Sequence, residues 1–197
     1  MAEWLELTRT QILAYRRTVQ ALDTRRPVVS ADSLRQAAWA GLQDSMPRAA
    51  LLSLHARITD TQSDTWRDPS LVQLWGPRFS AYVVAKRDLG VFSLGRLPDD
   101  ATAAQELAKR LHVFLDGREM SYAEAGHGLN VHPNSLRYAA PTGTVLIRWD
   151  GARRPTIWTV PSPDLDPREA RLELARRYLH ILGPATPASQ IEAMAKP

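Results

Sequence analysis

The chain has 197 residues, enough for one large domain or two small ones with a real hydrophobic core. Hydrophobic residues make up 44% of it and charged residues 23%, proportions typical of soluble globular proteins. It contains no cysteine, which excludes disulfides and thiolate chemistry, and no apolar run approaches a membrane span. The N-terminus lacks the basic flank and apolar core of a signal peptide, so we expect a cytoplasmic protein with no membrane partner.

The net charge of +4 comes mostly from arginine, because the chain has only three lysines, Lys86, Lys109 and Lys196. A guanidinium group binds phosphates and guanine edges through two parallel hydrogen bonds. The composition therefore favours nucleic acid as a partner, although GC-rich genomes produce the same bias in proteins that never contact DNA.

Residues 1–98 are predicted to form three helices and a hairpin. Helical periodicity covers 7–22, 33–42 and 47–58, and Thr8 and Gln11 have the spacing of a capping box. The period then changes to that of strands over 71–75 and 79–84, which Gly76-Pro77-Arg78 joins. A short helix over 86–94 ends this first unit.

Residues 99–163 repeat the same order of elements. Helices are predicted over 100–117, over 121–129 with a second capping-box spacing at Ser121 and Glu124, and over 133–140 with Pro133 in its first turn. The strands 144–149 and 156–160 flank the turn 150–155. Three helices and a hairpin, with a short turn between the second and third helices, are typical of a winged helix-turn-helix.

The fold class predicted is mainly α with small β-hairpins (α+β), built from tandem winged helix-turn-helix modules. The modules span 1–98 and 99–163, and 164–197 is expected to supply the first helix of an incomplete third module. In that last helix Leu172, Ala175, Leu179 and Leu182 share one apolar stripe, and Gly183 and Pro184 stop it.

The second module carries the candidate DNA-binding residues. A winged helix presents its third helix to the major groove and its wing to phosphates or the minor groove. These surfaces carry His132, Asn134, Ser135, Arg137, Arg148, Arg153 and Arg154. The alternative is that they are solvated charges on a winged helix that binds protein.

Sequence motifs for metal or strong nucleophilic catalysis are missing. The sequence has no G-x-S-x-G, no glycine-rich phosphate loop, no H-E-x-x-H and no histidine group with metal spacing, so we expect neither a metal nor a cofactor. The polar triplet Gln43-Asp44-Ser45 between two helical segments has two interpretations. Either Asp44 or Ser45 accepts a backbone N–H bond at a helix start, or Gln43 faces a substrate.

Four segments together resemble the AlkZ/YcaQ-type DNA glycosylases, across almost all of residues 8–189. They are GLQDSMPRAALLSLHAR, LVQLWGPRFSAYVVAKRDLGVFSLGR, HPNSLRYAAPTGTVLIRWDGARRPTIWTV and ARRYLHILGPATPAS. The resemblance implies tandem winged helices that grip duplex DNA and remove alkylated bases, crosslinked ones included. It also implies that the chain is C-terminally truncated, because the family continues through a third winged helix into a β-rich domain.

The family's catalytic signature is Gln-x-Gln or Gln-x-Asp in the turn after the second helix. Gln43 matches its first member, Ser45 replaces its second, and Asp44 stands where the family usually has an apolar residue. The resemblance thus implies that Gln43 positions a water molecule, with Asp44 and Ser45 assisting. An N-alkylated purine is already a good leaving group, so such weak groups suffice.

The sequence therefore predicts a monomeric protein that binds double-stranded DNA, alkylated DNA included, and descends from DNA glycosylases, with or without catalysis. The alternative function is a non-catalytic transcriptional regulator or a protein-interaction winged helix.

Overall fold

The computed structural model describes residues 6–46, 48–151 and 155–183. Its α-helices are α1 (Arg9–Val19), α2 (Ala31–Ala37), α3 (Ala49–His55), α4 (Leu89–Leu94), α5 (Thr102–Leu115), α6 (Tyr122–Gly128) and α7 (Pro167–Leu182). Its strands are β1 (Leu42–Gln43), β2 (Leu71–Trp75), β3 (Ala81–Ala85), β4 (Met120–Ser121), β5 (Val145–Arg148) and β6 (Thr156–Thr159). Short 3-10 helices cover Thr65–Arg67, Pro77–Phe79 and Lys86–Asp88, and a longer one covers Pro133–Thr142.

The strands form one antiparallel sheet in the order β1-β3-β2-β5-β6-β4. Both predicted hairpins, β2–β3 and β5–β6, are present. They join edge to edge where Gln73 of β2 lies opposite Ile147 of β5. Helices combined with an antiparallel sheet make an α+β fold, as predicted. The division into winged-helix modules at 98 and 163 stays a prediction, because the strands of both halves share this sheet.

The sheet lies between two layers of helices. On one face Val83 packs against α2 and α3, and Ile147 packs against α5 and α6. On the other face Tyr82, Val84 and Leu146 pack against α4 and α7. Because successive side chains of a strand point to opposite faces, β3 is apolar at every position and buried throughout.

Local start signals for the helices are confirmed. Thr8 with Gln11 and Ser121 with Glu124 each form both hydrogen bonds of a capping box. Where the predictions rest on short-range side-chain chemistry of this kind, the structure follows them.

The predicted α-helix over 133–140 is instead a 3-10 helix that continues to Thr142. Pro141 lies inside it and lacks the backbone N–H that an α-helical ladder needs. Leu136 and Ala139 on its inner side are buried. Pro133 comes so close to Gly126 of α6 that an added Cβ there would lie 2.7 Å from the Pro133 Cα.

The apolar stripe predicted for the last helix is wrong. Leu172, Leu179 and Leu182 of α7 are exposed, whereas Leu174 and Arg177 face the core. The periodicity of the sequence predicted buried leucines because it gives no sign that Arg177, on the opposite side of the helix, is buried.

Arg177 is buried because three elements supply it with acceptors. Its Nη2 donates to Asp88 Oδ1 at 3.0 Å, its Nε to Glu173 Oε1 at 2.7 Å, and its Nη1 to the Trp39 carbonyl at 3.2 Å. Arg35 of α2 donates two further hydrogen bonds to Asp88, each 2.9 Å long. The network fastens α7 to α2 and to the start of α4.

The arginines hold both carboxylates in their charged form. Burial would raise the pKa of Asp88, but the hydrogen bonds from Arg35 and Arg177 outweigh burial and lower it. The pKa of Glu173 falls to about 2, chiefly through its hydrogen bond with Arg176 and, against some desolvation, that with Arg177. The network therefore stabilises the fold above the ordinary carboxylate pKa, and this contribution is lost as the pH falls through the lowered values.

We predict that Arg177→Met lowers the free energy of unfolding by about 3 kcal/mol at neutral pH, because the buried Asp88 carboxylate keeps Arg35 but loses its fully buried partner. Arg176→Met is the matched control: Arg176 is exposed and its ion pair with Glu173 lies at the surface, so its loss costs much less than that of Arg177. Urea denaturation measures both. The gap between wild type and Arg177→Met narrows as the pH falls from about 4 towards about 2. Equal, small losses from both variants would contradict this reading of the network.

Candidate active site

The triplet Gln43-Asp44-Ser45 lies at the edge of the sheet, in and just after β1. Gln43 pairs with Tyr82 of β3, and the Asp44 N–H donates to the Ala81 carbonyl at 2.7 Å. Alternation along this extended segment leaves Gln43 and Ser45 exposed and buries Asp44 between them. The Gln43 amide nitrogen donates to the Ser45 hydroxyl at 2.8 Å. Gln43 and Ser45 therefore face the same side of this segment.

Asp44 points into the protein and is only 4% exposed. Its Oδ1 accepts the Ala50 N–H at 3.0 Å, in the first turn of α3, and its Oδ2 accepts the Gln73 side-chain amide at 2.7 Å. Burial raises the pKa of Asp44, while these hydrogen bonds and the charge of Arg48 oppose that rise. The helix-punctuation interpretation therefore holds for Asp44, whereas the Ser45 hydroxyl bonds to Gln43.

Gln73 is a site residue that the sequence interpretation missed. It is buried at the centre of the sheet, and its Oε1 accepts the Trp149 N–H at 2.6 Å. Its Nε2 donates to Asp44 and, at 3.2 Å, to the Trp149 carbonyl. The Gln73 side chain thus connects Asp44 of the triplet to Trp149, which precedes the turn 150–155. The available signal was a single amide inside the apolar run LVQLW.

Two arginines that the sequence interpretation did not select lie near these hydrogen bonds of Gln73. The guanidinium carbons of Arg48 and Arg67 lie 5.6 Å and 4.9 Å from the ring centre of Trp66. Arg67 also lies 4.0 Å from the Asp150 carboxylate, at the start of the turn 150–155. The described part of the turn 150–155 therefore has a cationic neighbour from the first half of the chain.

The predicted DNA-binding residues fall into separate groups. His132, Asn134 and Ser135 lie together at the start of the 3-10 helix, where His132 Nδ1 accepts the Asn134 N–H at 3.2 Å. His132 and Asn134 are exposed. Arg148 is also exposed but belongs to the opposite face of the sheet, with its guanidinium 5.4 Å from the ring centre of Trp158. The structure does not bring Arg148 together with the helix start.

Arg137 of the 3-10 helix Pro133–Thr142 packs against the tip of the β2–β3 hairpin. Its guanidinium lies 4.8 Å from the ring centre of Phe79 and 5.5 Å from that of Tyr138. The two rings meet edge to face at 4.9 Å, which joins the tip of the β2–β3 hairpin to the 3-10 helix. Arg153 and Arg154 lie outside the described residues.

Gly41 sets the start of β1. Its φ is +77°, and an added Cβ would lie 2.9 Å from Phe92 Cε1 and 3.1 Å from Tyr82 Cδ1. Both the backbone conformation and the close packing favour glycine there.

Within the ranges that the structure describes, no group of three or more acidic or histidine side chains is placed to hold a metal ion. In the same ranges no helix is long and apolar enough to cross a bilayer.

Neither a protein-family model nor a curated protein matches the chain. Among solved structures, the chain is similar to the Streptomyces sahachiroi DNA glycosylase AlkZ, with a TM-score of 0.71 and 19% sequence identity. The match covers 92% of this chain and 59% of that one. At this identity the likeness shows a shared fold, and the chain spans somewhat over half the length of the glycosylase chain.

We predict that Gly41→Ala destabilises the protein more than Gly117→Ala does. Both glycines have a left-handed φ, +77° and +75°, so each alanine costs about 1–2 kcal/mol of backbone strain. An added Cβ at Gly117 meets nothing within 4 Å, whereas at Gly41 it meets Phe92 and Tyr82. The overpacking adds about 1–3 kcal/mol, measurable by urea denaturation. Losses of the same size would show that β1 does not need this close approach.

Proposed function

We propose that the chain binds duplex DNA and hydrolyses the N-glycosidic bond of N-alkylated purines. The observation that carries the proposal is the exposed Gln43–Ser45 pair at the sheet edge, in a fold shared with a DNA glycosylase. The Gln43 amide nitrogen bonds to Ser45, and no described residue donates a hydrogen bond to the amide oxygen. That oxygen is therefore available to a water molecule.

The chemistry needs an oriented dipole more than a strong acid. Alkylation at N7 or N3 gives the purine a positive charge, so the electron pair of the breaking C1′–N9 bond neutralises the departing base. The sugar passes through an oxocarbenium-like state, and a water oxygen bonds to C1′ and releases a proton to solvent. Gln43 Oε1 accepts a hydrogen bond from that water and turns the negative end of its dipole towards the developing charge.

Ser45 and Asp44 act through Gln43 in this proposal. The Ser45 hydroxyl fixes the rotamer of the Gln43 amide. The Asp44 carboxylate, engaged by α3 and Gln73, holds the backbone so that Gln43 faces outwards. Both are positioning residues, and the water has one protein dipole instead of the two that the family signature supplies.

The cationic and polar side chains selected from the sequence, together with two arginines of the first half, would hold the DNA. The polar group His132, Asn134 and Ser135 would reach base edges or phosphates. Arg148, Arg153 and Arg154, with Arg48 and Arg67 from the first half, would contact the sugar-phosphate backbone. Arg137, packed against Phe79 and Tyr138, would support the polar group at the start of the 3-10 helix.

A second candidate function is DNA or protein binding without catalysis. It is favoured by one observation: the hydroxyl of Ser45, which replaces a second amide or carboxylate, is already bonded to Gln43.

The test is single-turnover excision of 7-methylguanine from duplex DNA, followed by detection of the abasic site. We predict that Gln43→Ala lowers the rate roughly 100-fold, because the oriented dipole is lost, and that Ser45→Ala lowers it less. Gln105→Ala is the matched control, an exposed glutamine on α5 that should excise at the wild-type rate.

DNA affinity measured across a salt series separates the alternatives. Background excision by wild type and Gln43→Ala alike, together with salt-dependent affinity, would replace the proposal with a non-catalytic DNA-binding protein. Background excision without salt-dependent affinity would leave the protein-interaction function.

A further inference from the structure

A cavity of about 520 Å³ lies between α5, the segment 160–167 and the end of the 3-10 helix Pro133–Thr142. Its volume falls within the range of about 300–1,000 Å³ that is typical of small-molecule sites. None of residues 43–45 lines it, so it is separate from the candidate active site. The proposed function gives this cavity no role.

The walls of the cavity are mostly aliphatic. Leucine, valine, alanine and proline side chains form them, among which are Leu94, Leu97, Ala108, Val160, Pro163 and Leu165. Among the described lining residues none is aromatic, so the cavity offers no ring on which a flat heterocycle could stack. An alkyl chain is the apolar group that such walls can remove from water.

The wall formed by the segment 160–167 is fixed to the rest of the fold. Pro163 packs so closely on Gly143 that an added Cβ there would lie 2.7 Å from Pro163 Cδ. The Val160 N–H donates to the Thr144 carbonyl at 2.9 Å. The cavity is therefore formed before a ligand arrives, and binding does not pay for ordering this wall.

Two basic side chains of α5 take part in the lining. Lys109 and His112 are three residues apart, the spacing that makes side chains neighbours on a helix surface. His112 Nδ1 lies 3.0 Å from the Thr159 hydroxyl, a contact that holds the imidazole ring in place. Lys109 is exposed, and in the described ranges its ammonium group forms no ion pair. It is therefore open to an external anion.

No described carboxylate lines the cavity. Asp164 and Asp166 belong to the segment 160–167, but both are exposed and neither is part of the lining. Asp166 Oδ1 already accepts two backbone N–H groups in the first turn of α7, at 2.9 Å and 3.0 Å. Aliphatic walls, an ammonium group and the lack of a competing acid are complementary to a single negative charge on an apolar chain.

We propose that this cavity binds a medium-chain alkyl carboxylate. The chain lies between α5 and the segment 160–167, and the carboxylate accepts hydrogen bonds from the Lys109 ammonium group and the His112 ring. Each CH₂ group that leaves water strengthens binding about fourfold, and the ion pair with Lys109 adds the preference for an anion. The inference goes beyond the proposed function, because neither DNA nor Gln43 takes part.

The test is calorimetric titration with decanoate, with the uncharged decan-1-ol and with the shorter hexanoate. We predict that wild type binds decanoate at least tenfold more tightly than either of the other two. Lys109→Met removes the charge from an exposed position and keeps most of the apolar stem. It should weaken decanoate binding at least tenfold and leave decan-1-ol binding unchanged. Lys86→Met is the matched control, an exposed lysine outside the lining, and should bind decanoate as wild type does.

Three results would overturn the site. The first is a wild type that binds no decanoate, or that binds decan-1-ol or hexanoate as tightly. The second is decanoate binding that Lys109→Met leaves unchanged. The third is an equal loss in Lys86→Met and Lys109→Met, which would mean adsorption of the anion to any cationic surface. Excision of bases enters none of these measurements, so the site and the proposed activity stand or fall separately.

Discussion

One buried amide, Gln73, determines how the two halves of the sheet meet and how the candidate site is oriented. It bonds the Asp44 carboxylate on one side and both backbone groups of Trp149 on the other. A buried carboxylate is costly without hydrogen-bond partners. The hydrogen bonds from the Gln73 amide and the Ala50 N–H therefore allow Asp44 to point inwards. Because side chains alternate along the strand, an inward Asp44 turns Gln43 and Ser45 towards solvent. Among the described strands β1 pairs with β3 alone, and this edge position leaves that side open.

Much of the fold could be predicted because its signals are local. Capping boxes depend on residues three apart, and both were found where the spacing indicated them. The arrangement of the elements depends on contacts that periodicity cannot register. Asp88 and Arg177 are 89 residues apart, yet their ion pair turns the leucines of α7 outwards. The union of the two hairpins depends likewise on the pairing of Gln73 with Ile147, in strands that were predicted to belong to different modules.

The sequence could predict where some residues of the candidate site lie, whereas their role as a site stays a prediction. Resemblance singled out Gln43 and Ser45, and the structure places them on one exposed side at hydrogen-bond distance. The sequence could not show that Asp44, the residue between them, accepts a hydrogen bond from a glutamine of another strand. Gln73 is a single polar residue in an apolar run. A cavity beside Gln43, lined by α1, the end of α2, β1 and the last turns of α7, could not be predicted from the sequence either. These four elements meet only in the folded chain. The sheet fixes the direction of these separate side chains and so brings them together as a candidate site.

The measurement that tests this account most directly is a double-mutant cycle on Asp44→Ala and Gln73→Ala, read as free energies of unfolding in urea. The two side chains share a buried hydrogen bond of 2.7 Å, so removal of either one strands the other. The account predicts that the double variant loses less stability than the sum of the single losses, by about 1–3 kcal/mol. Additive losses, within about 0.5 kcal/mol, would mean that Gln73 does not hold Asp44 and that the direction of Gln43 has another cause.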